Sequence, residues 1–237
     1  MRNTPTESNA LSERRLSLRS GTVTALRRQA RRKGRVSVFV DGEFALGISE
    51  EVLAGSTLHK GLAVSEDLLL ELLNRDIEFT ARARAIKFLS YRARSEKEIG
   101  DRLRRYGYEQ AVVDKVLAWL STRGYVDDQA FASTFAAERA GNRGFGARRI
   151  AAELSRLGIS RELADQALVS ISDESPSENE TVLRKARQRW QRLRSEPDPR
   201  KRKSKLVQYL QRRGFDYSDA MAILDRISAA DDRSDLT

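Results

Sequence analysis

Over the first quarter of the chain apolar and polar positions alternate; beyond it they recur at helical spacing. Val36, Val38 and Val40 alternate with Ser37 and Phe39, the period of a strand that buries one face. Asp41-Gly42 follows directly, the dipeptide of a tight hairpin, and Glu43–Ser49 supplies the return strand. Thr22–Leu26 reads as a strand ahead of this pair, Ser49–Ser56 as a short helical piece, and Leu58–Val64 as a further strand. Residues 21–64 therefore form a small β-rich module. At Ser65 the period changes. Ser65 is placed to cap a helix whose first turn carries Glu66 and Asp67, and the stretch from Glu66 to Arg92 reads as one long helix or as two.

The helical part repeats itself. Gly107, Gly158 and Gly214 anchor three similar segments, 51 and then 56 residues apart. Eight positions before each glycine stand Ile99, Ile150 and Leu206, and four before it Leu103, Leu154 and Leu210. Tyr108, Ile159 and Phe215 follow the glycine directly, and Val113, Ala164 and Ala220 lie six beyond it. A glycine just past a helix end takes the left-handed conformation without a Cβ penalty, and its successor packs back on the last turn. Glu109, Ser160 and Asp216 then stand where the next helix begins; Ser and Asp are good caps and Glu a poorer one. The residue before each cap is placed to staple to the apolar position inside the new helix, so one side chain closes one helix and opens the next. Ser95 with Glu98 forms a capping box, and Asp198-Pro199 puts an acid at the cap and Pro at the first helical position. A helical stretch with an apolar face precedes each pair: Ala81/Ala85/Phe88/Leu89, Phe131/Ala132/Phe135/Ala136 and Val182/Ala186/Trp190/Leu193. The expected architecture is mainly α: three tandem three-helix repeats in an elongated arrangement behind a small β-rich N-terminal module. The divisions are a disordered arm over 1–20, the module over 21–64, a linking helix with repeat 1 over 65–126, repeat 2 over 127–172, and repeat 3 with a polar tail over 173–237. The polar run Ser172–Glu178 reads as a flexible joint.

Charge adds a direction to this outline. Among 237 residues are 44 Lys plus Arg against 34 acids, a net charge of +10 that favours polyanions. Nine of these cations and no acid lie between Arg14 and Arg35, and thirteen against two acids lie between residues 184 and 213. Arg102, Arg104 and Arg105, then Arg148, Arg149 and Arg156, then Arg212 and Arg213 flank the glycine corners, while Arg200, Lys201, Arg202, Lys203 and Lys205 form the densest run. Singly each reads as a solvated helix face; together they are the candidate contact with phosphates. Tyr91, Tyr106 and Tyr125 read as core or turn packing rather than stacking platforms.

Other chemistry is scarce. Cys is absent and His59 is the single histidine, which argues against thiolate metal sites, disulfides and a His-based triad. Asp127-Asp128 is the one adjacent acid pair worth testing as a metal site. It stands where a new helix starts, and no further carboxylates or base are in evidence around it, so both acids read as structural caps. No GxxxxGK[ST] loop is present, so no cofactor, metal or catalytic residue is expected and the chain does not read as an enzyme. The start lacks an apolar core and the apolar runs are short, which predicts a soluble cytoplasmic protein with no membrane partner.

Lys87–Tyr108, Gly124–Phe135 and Gly144–Ser160 resemble the successive signatures of the RecX family, bacterial regulators of the RecA recombinase. The resemblance covers about Ala81 to Ile227, more loosely in the third repeat, and the β module resembles the extension of longer members. It implies a monomeric, non-enzymatic protein that lies in the groove of a RecA–DNA filament, contacts RecA and single- or double-stranded DNA, and modulates filament growth, ATP hydrolysis, strand exchange and coprotease activity in DNA repair and the SOS response. The basic residues named above would then be filament contacts. The rival reading is a sequence-specific helix-turn-helix regulator. It is disfavoured because the last helices of the repeats are short of Arg, Asn and Gln for major-groove contacts.

Overall fold

The structure, a computed structural model, describes residues 18–171 and 179–234. The arm up to residue 17, the joint read at Ser172–Glu178 and the last three residues lie outside the described residues. Leu18, assigned to the arm from sequence, is instead buried in the first hydrophobic core. Likewise the final helix continues to Ser234, through most of what reads as a polar tail.

Asp41 and Gly42 form the predicted turn, both with positive φ, 48° and 88°. A two-residue type I′ turn needs that pair of angles because its twist matches the flanking strands. The module has four antiparallel strands, β1 (Gly21–Arg28), β2 (Arg35–Val40), β3 (Glu43–Ser49) and β4 (Ala63–Val64), in the order β3-β2-β1-β4. Val23, Val36, Val38, Val40, Leu46 and Ile48 are buried, as the alternation requires. Within the basic run Arg27 and Arg28 belong to β1 and Arg35 opens β2, so the loop between the strands covers residues 29–34. Helix α1 (Glu50–Ala54) is capped by Ser49, whose hydroxyl accepts from Val52 N.

Helix α2 (Glu66–Leu89) is unbroken, which decides between the two readings of this stretch, and Ser65 Oγ accepts from Leu68 N at 3.2 Å. Its N-terminal half buries Leu69, Leu72, Leu73 and Ile77, its C-terminal half Ala81 and Ala85, all in one core running from Leu18 to Val126. The β module and repeat 1 are thus one body joined by a shared helix. They are clamped by Asp76 of α2: its carboxylate accepts from Arg35 Nη2 at 2.7 Å and from Ser49 N at 2.7 Å. Arg35 also donates to Gly47 O.

Repeat 1 is completed by α3 (Glu96–Arg105) and α4 (Gln110–Thr122). Repeat 2 comprises α5 (Asp128–Gly141), α6 (Ala147–Arg156) and α7 (Arg161–Val169); repeat 3 comprises α8 (Glu180–Arg192), α9 (Pro199–Arg212) and α10 (Tyr217–Ser234). Repeats 2 and 3 each have their own hydrophobic cluster. The chain divides into two units at Val126/Asp127, and the clamp and joints described here lie within one or the other.

The three corners share one hydrogen-bond scheme. Gly107, Gly158 and Gly214 have φ of 85°, 85° and 94°. Their amides bond Arg104 O, Ser155 O and Gln211 O at 2.8, 3.0 and 2.9 Å, while Tyr108, Ile159 and Phe215 reach back to Leu103 O, Leu154 O and Leu210 O at 3.3, 3.1 and 3.2 Å. These are the paired bonds of a Schellman end. The caps differ as their chemistry predicts. Ser160 Oγ accepts from Leu163 N and Asp216 Oδ1 from Asp219 N, whereas Glu109 makes no side-chain cap bond. The Asp219 amide and Ser218 hydroxyl together hold the Asp216 carboxyl below the usual carboxylate range. At Ser95 the capping box closes, and although burial opposes it, Arg92 and Arg94 hold the Glu98 carboxyl below its ordinary pKa.

A fourth corner of the same kind carries no repeat signature. Gly124, φ 69°, bonds Ser121 O while Tyr125 N reaches Leu120 O, both at 2.9 Å. Asp127 then caps α5, its Oδ1 accepting from Gln129 N and Ala130 N at 2.9 Å. The acid pair tested for metal chemistry is therefore placed at a helix start, and among the described residues no group of three His, Cys, Asp or Glu could hold a metal ion. Tyr91 departs from its expected packing role: it is 73% exposed.

Repeats 2 and 3 meet backbone to backbone. Gly146 N donates to Arg213 O at 2.9 Å and Arg148 N to Gly214 O at 3.2 Å, so the third corner docks on the first turn of α6. Arg213 also donates to Gly144 O at 3.1 Å and to Arg143 O, and Lys185 Nζ donates to Arg143 O at 2.7 Å. Two cations from repeat 3 thereby satisfy carbonyls just beyond the C-terminus of α5, where the helix dipole favours positive charge.

Candidate nucleic-acid interface

Arginine beside an aromatic residue recurs throughout both units, and this decides which cations are free to meet a ligand. In repeat 1, Arg94 and Arg102 lie over Phe88 at 4.1 and 5.5 Å, and Arg102 and Arg84 lie over Tyr106 at 4.9 and 4.8 Å. In the second unit Arg189 and Arg213 flank Tyr209, and Arg213 and Arg149 flank Phe145, with Arg149 only 3.8 Å from the ring centroid. Arg202 lies 3.7 Å over Trp190. Each such contact is worth about 0.5–1 kcal/mol when exposed and more when desolvated.

The predicted contact residues consequently fall into two groups. Arg102, Arg149, Arg202 and Arg213 pack on rings; Arg102 also donates to Tyr106 Oη at 2.9 Å and Arg149 to Glu153 at 3.1 Å. Arg104 pairs with Asp101 at 2.7 Å, and Lys205 pairs with Glu196, which with the Asp198 amide holds the Glu196 carboxyl below its usual range. Arg105 donates to Asp101 O at 3.2 Å. Arg105, Arg148, Arg156, Arg200, Lys201, Lys203 and Arg212 are exposed and touch no ring within cation–π distance among the described residues. Of these, Arg200, Lys201 and Lys203 sit together in the first turns of α9, whose start is fixed by Asp198: its Oδ1 accepts from Arg200 N at 2.8 Å and Lys201 N at 3.3 Å. The corner glycines, Gly107, Gly158 and Gly214, hold the positive-φ turns between helices, and Gly214 O also accepts from Arg148 N.

One cationic group was not legible from sequence spacing. Lys185 has Arg213, Arg184 and Arg143 around it, and burial together with these like charges pushes its pKa down from the usual lysine value. Positive charges gathered in one place attract a polyanion, the ordinary electrostatics of a phosphate-binding surface. Arg143 belongs to the α5–α6 loop and Arg184 and Lys185 to α8, so only the folded contact between repeats 2 and 3 unites them.

Four domain families match in chain order: the regulatory protein RecX N-terminal domain over residues 21–65, and the first, second and third RecX three-helix domains over 81–120, 127–168 and 177–224. A regulatory protein RecX of Clostridium botulinum is 30% identical over 196 residues, covering 82% of this chain and 91% of its own. One of Leuconostoc citreum is 30% identical over 215 residues, covering 90% and 79%. For the Listeria monocytogenes serotype 4a protein identity is 35% over 159 residues, and there the match spans only 59% of the relative's length. The crystal structure of a regulatory protein RecX superposes with a TM-score of 0.70 at 27% identity over 86% of this chain and 98% of that one. RecX from Lactobacillus salivarius, at 22% identity and a TM-score of 0.57, shares the fold. Among the described residues no helix is long and apolar enough to cross a membrane.

Proposed function

Since the chain belongs to the RecX family of regulatory proteins, we propose that it binds a RecA–DNA filament and inhibits RecA's recombinase, ATPase and coprotease activities. The observation that carries this reading is the succession of the four domain matches along the chain, and the exposed cations of repeat 3 supply the means. Arg200, Lys201 and Lys203 on α9 are exposed, as are Arg184 of α8 and Arg143 of the α5–α6 loop beside the half-buried Lys185 and Arg213, and such cations let a nucleic-acid backbone release its counterions. Its contribution to this role is occupancy, holding a surface that RecA subunits or strand exchange would otherwise use. Purified full-length chain is expected to slow ATP turnover by RecA on single-stranded DNA at sub-stoichiometric ratios. Unchanged turnover at every ratio overturns the proposal.

The geometry also selects which charges to reverse. Arg202 and Lys205 are tied to Trp190 and Glu196, so changing them would disturb packing as well as charge. Arg200→Glu/Lys201→Glu/Lys203→Glu spares both contacts. For single-stranded DNA this triple variant is expected to reduce the slope of log affinity against log salt by roughly two, since each lost phosphate contact removes about 0.7. A salt titration with an unaltered slope removes this patch from the interface.

A further inference from the structure

The β module buries only one face of its sheet. The other carries Ala25, Arg27, Gln29, Ser37, Phe39, Phe44 and Gly47, placed together by register and contact. Ser37 pairs with Arg27 and with Gly47, Phe39 with Ala25 and with Phe44, and Gln29 Nε2 donates to Ser37 Oγ at 3.0 Å. All seven are partly or largely exposed. An antiparallel sheet with one wet face normally puts polar side chains there. Here two phenylalanines occupy it, rings 6.0 Å apart and nearly perpendicular, and Phe44 is 55% exposed. Arg27 lies 5.1 Å over the Phe39 ring. Around them the face is flat, because Ala25, Ser37 and Gly47 are small.

Charge on this surface is graded along the strands. The turn at one end carries Asp41 and Glu43; the opposite end opens into Arg31, Arg32 and Lys33, all exposed, with Arg28 beside them. Arg28 is paired with Glu50 at 2.9 Å, and among the described residues no ion pair is recorded for Arg27, Arg31, Arg32 or Lys33. From Phe39 to Arg35 is four residues of strand, roughly 13 Å at about 3.3 Å per residue. A solvent-facing ring on a flat platform, with a guanidinium beside it and cations one or two nucleotides away, matches what an unpaired strand requires: a π-face for a base and positive charge for its phosphates. Duplex DNA hides its base faces and gains nothing from Phe44. An acidic peptide would use the cations but not the rings.

We propose that this open face of the β module, centred on Phe44, Phe39 and Arg27, binds single-stranded nucleic acid by base stacking, as a site separate from the basic surface of repeat 3. The site is independent of whether the chain inhibits RecA. Its test uses full-length protein, a fluorescent oligo-dT probe and a duplex of equal length in the same salt. Phe39→Leu/Phe44→Leu keeps apolar bulk and removes both π-faces. It is expected to weaken oligo-dT binding about tenfold or more while leaving duplex binding and the thermal melt unchanged. Photo-crosslinking of a 5-bromodeoxyuridine oligonucleotide to wild type is expected to mark the tryptic peptide that holds Phe39 and Phe44. Equal oligo-dT affinity for variant and wild type overturns the proposal. So does equal weakening toward both probes, which indicates charge contact alone.

Discussion

Asp76→Ala is expected to destabilise the first unit by about 3–5 kcal/mol, because removing one member of a buried ion pair strands the other. The Asp76 side chain is 5% exposed and Arg35 20%, so water can partly reach the abandoned guanidinium and the lower part of that range applies. The backbone adds to the loss. Ser49 N gives up its acceptor at the junction of β3 and α1, and a buried unsatisfied amide costs about 1–3 kcal/mol. The variant therefore separates the sheet from α2 at the point where they are tied. A second variant discriminates between this explanation and loss of volume. Arg35→Met/Asp76→Leu removes both charges and is expected to recover the part of the deficit that comes from the stranded guanidinium, since a hydrophobic replacement of a buried pair is often neutral or better, while the cost of the unpaired Ser49 amide stays. The two tryptophans make the measurement clean: Trp119 lies in α4 of the first unit and Trp190 in α8 of the second. In a Trp190→Phe background, urea unfolding followed by Trp119 fluorescence reads the first unit alone. A midpoint for Asp76→Ala equal to that of the parent shows the clamp to be dispensable.

That clamp marks where sequence reasoning reaches its limit. The corners were legible because each depends on residues within about six positions: a glycine, the leucine four before it, the apolar residue after it and a cap. Local chemistry repeated three times leaves columns that can be read. Asp76 lies 41 positions from Arg35 and looks, within the polar positions of α2, like any solvated helix acid. The fusion of β module and repeat 1 was hidden for the same reason, since the two halves of α2 show one continuous apolar period whatever they pack against. The arginines were hardest to assign. Arg200 and Arg202 are two positions apart in one basic run, yet one faces solvent and the other lies over Trp190. Spacing predicts a helix face but not which guanidinium finds a ring. Gly124 escaped notice because its corner is not part of the repeat, although its bonds match those of the other three.

Gly214→Ala is expected to cost about 2–5 kcal/mol and to open the joint between repeats 2 and 3, more than the same change at any corner where only the backbone angle matters. Two separate effects add there. A left-handed φ of 94° penalises any Cβ by roughly 1–2 kcal/mol. In addition the new atom would stand 2.4 Å from Arg149 Cβ and from Arg149 N, in the first turn of α6, so the docked helix must move. Overpacking of that kind costs about 1–3 kcal/mol. The two effects can be measured apart. Gly124 has φ 69° and nothing within 4 Å of a Cβ, so Gly124→Ala reads strain alone. Gly146 sits at φ −80°, where alanine is unstrained, but its Cβ would meet Gly214 C and O at 2.4 Å, so Gly146→Ala reads contact alone. In a Trp119→Phe background, Trp190 fluorescence during urea unfolding reports both second-unit variants. Hydrogen exchange at the Gly146 and Arg148 amides reports the joint itself, because those two protons bond Arg213 O and Gly214 O across it. Both amides are expected to lose protection in Gly146→Ala and Gly214→Ala and to keep it in Gly124→Ala. Because the joint also gathers Lys185, Arg184, Arg143 and Arg213, the same two variants are expected to weaken DNA binding without changing a single charge. Undiminished binding together with exposed amides separates the cationic group from the interface.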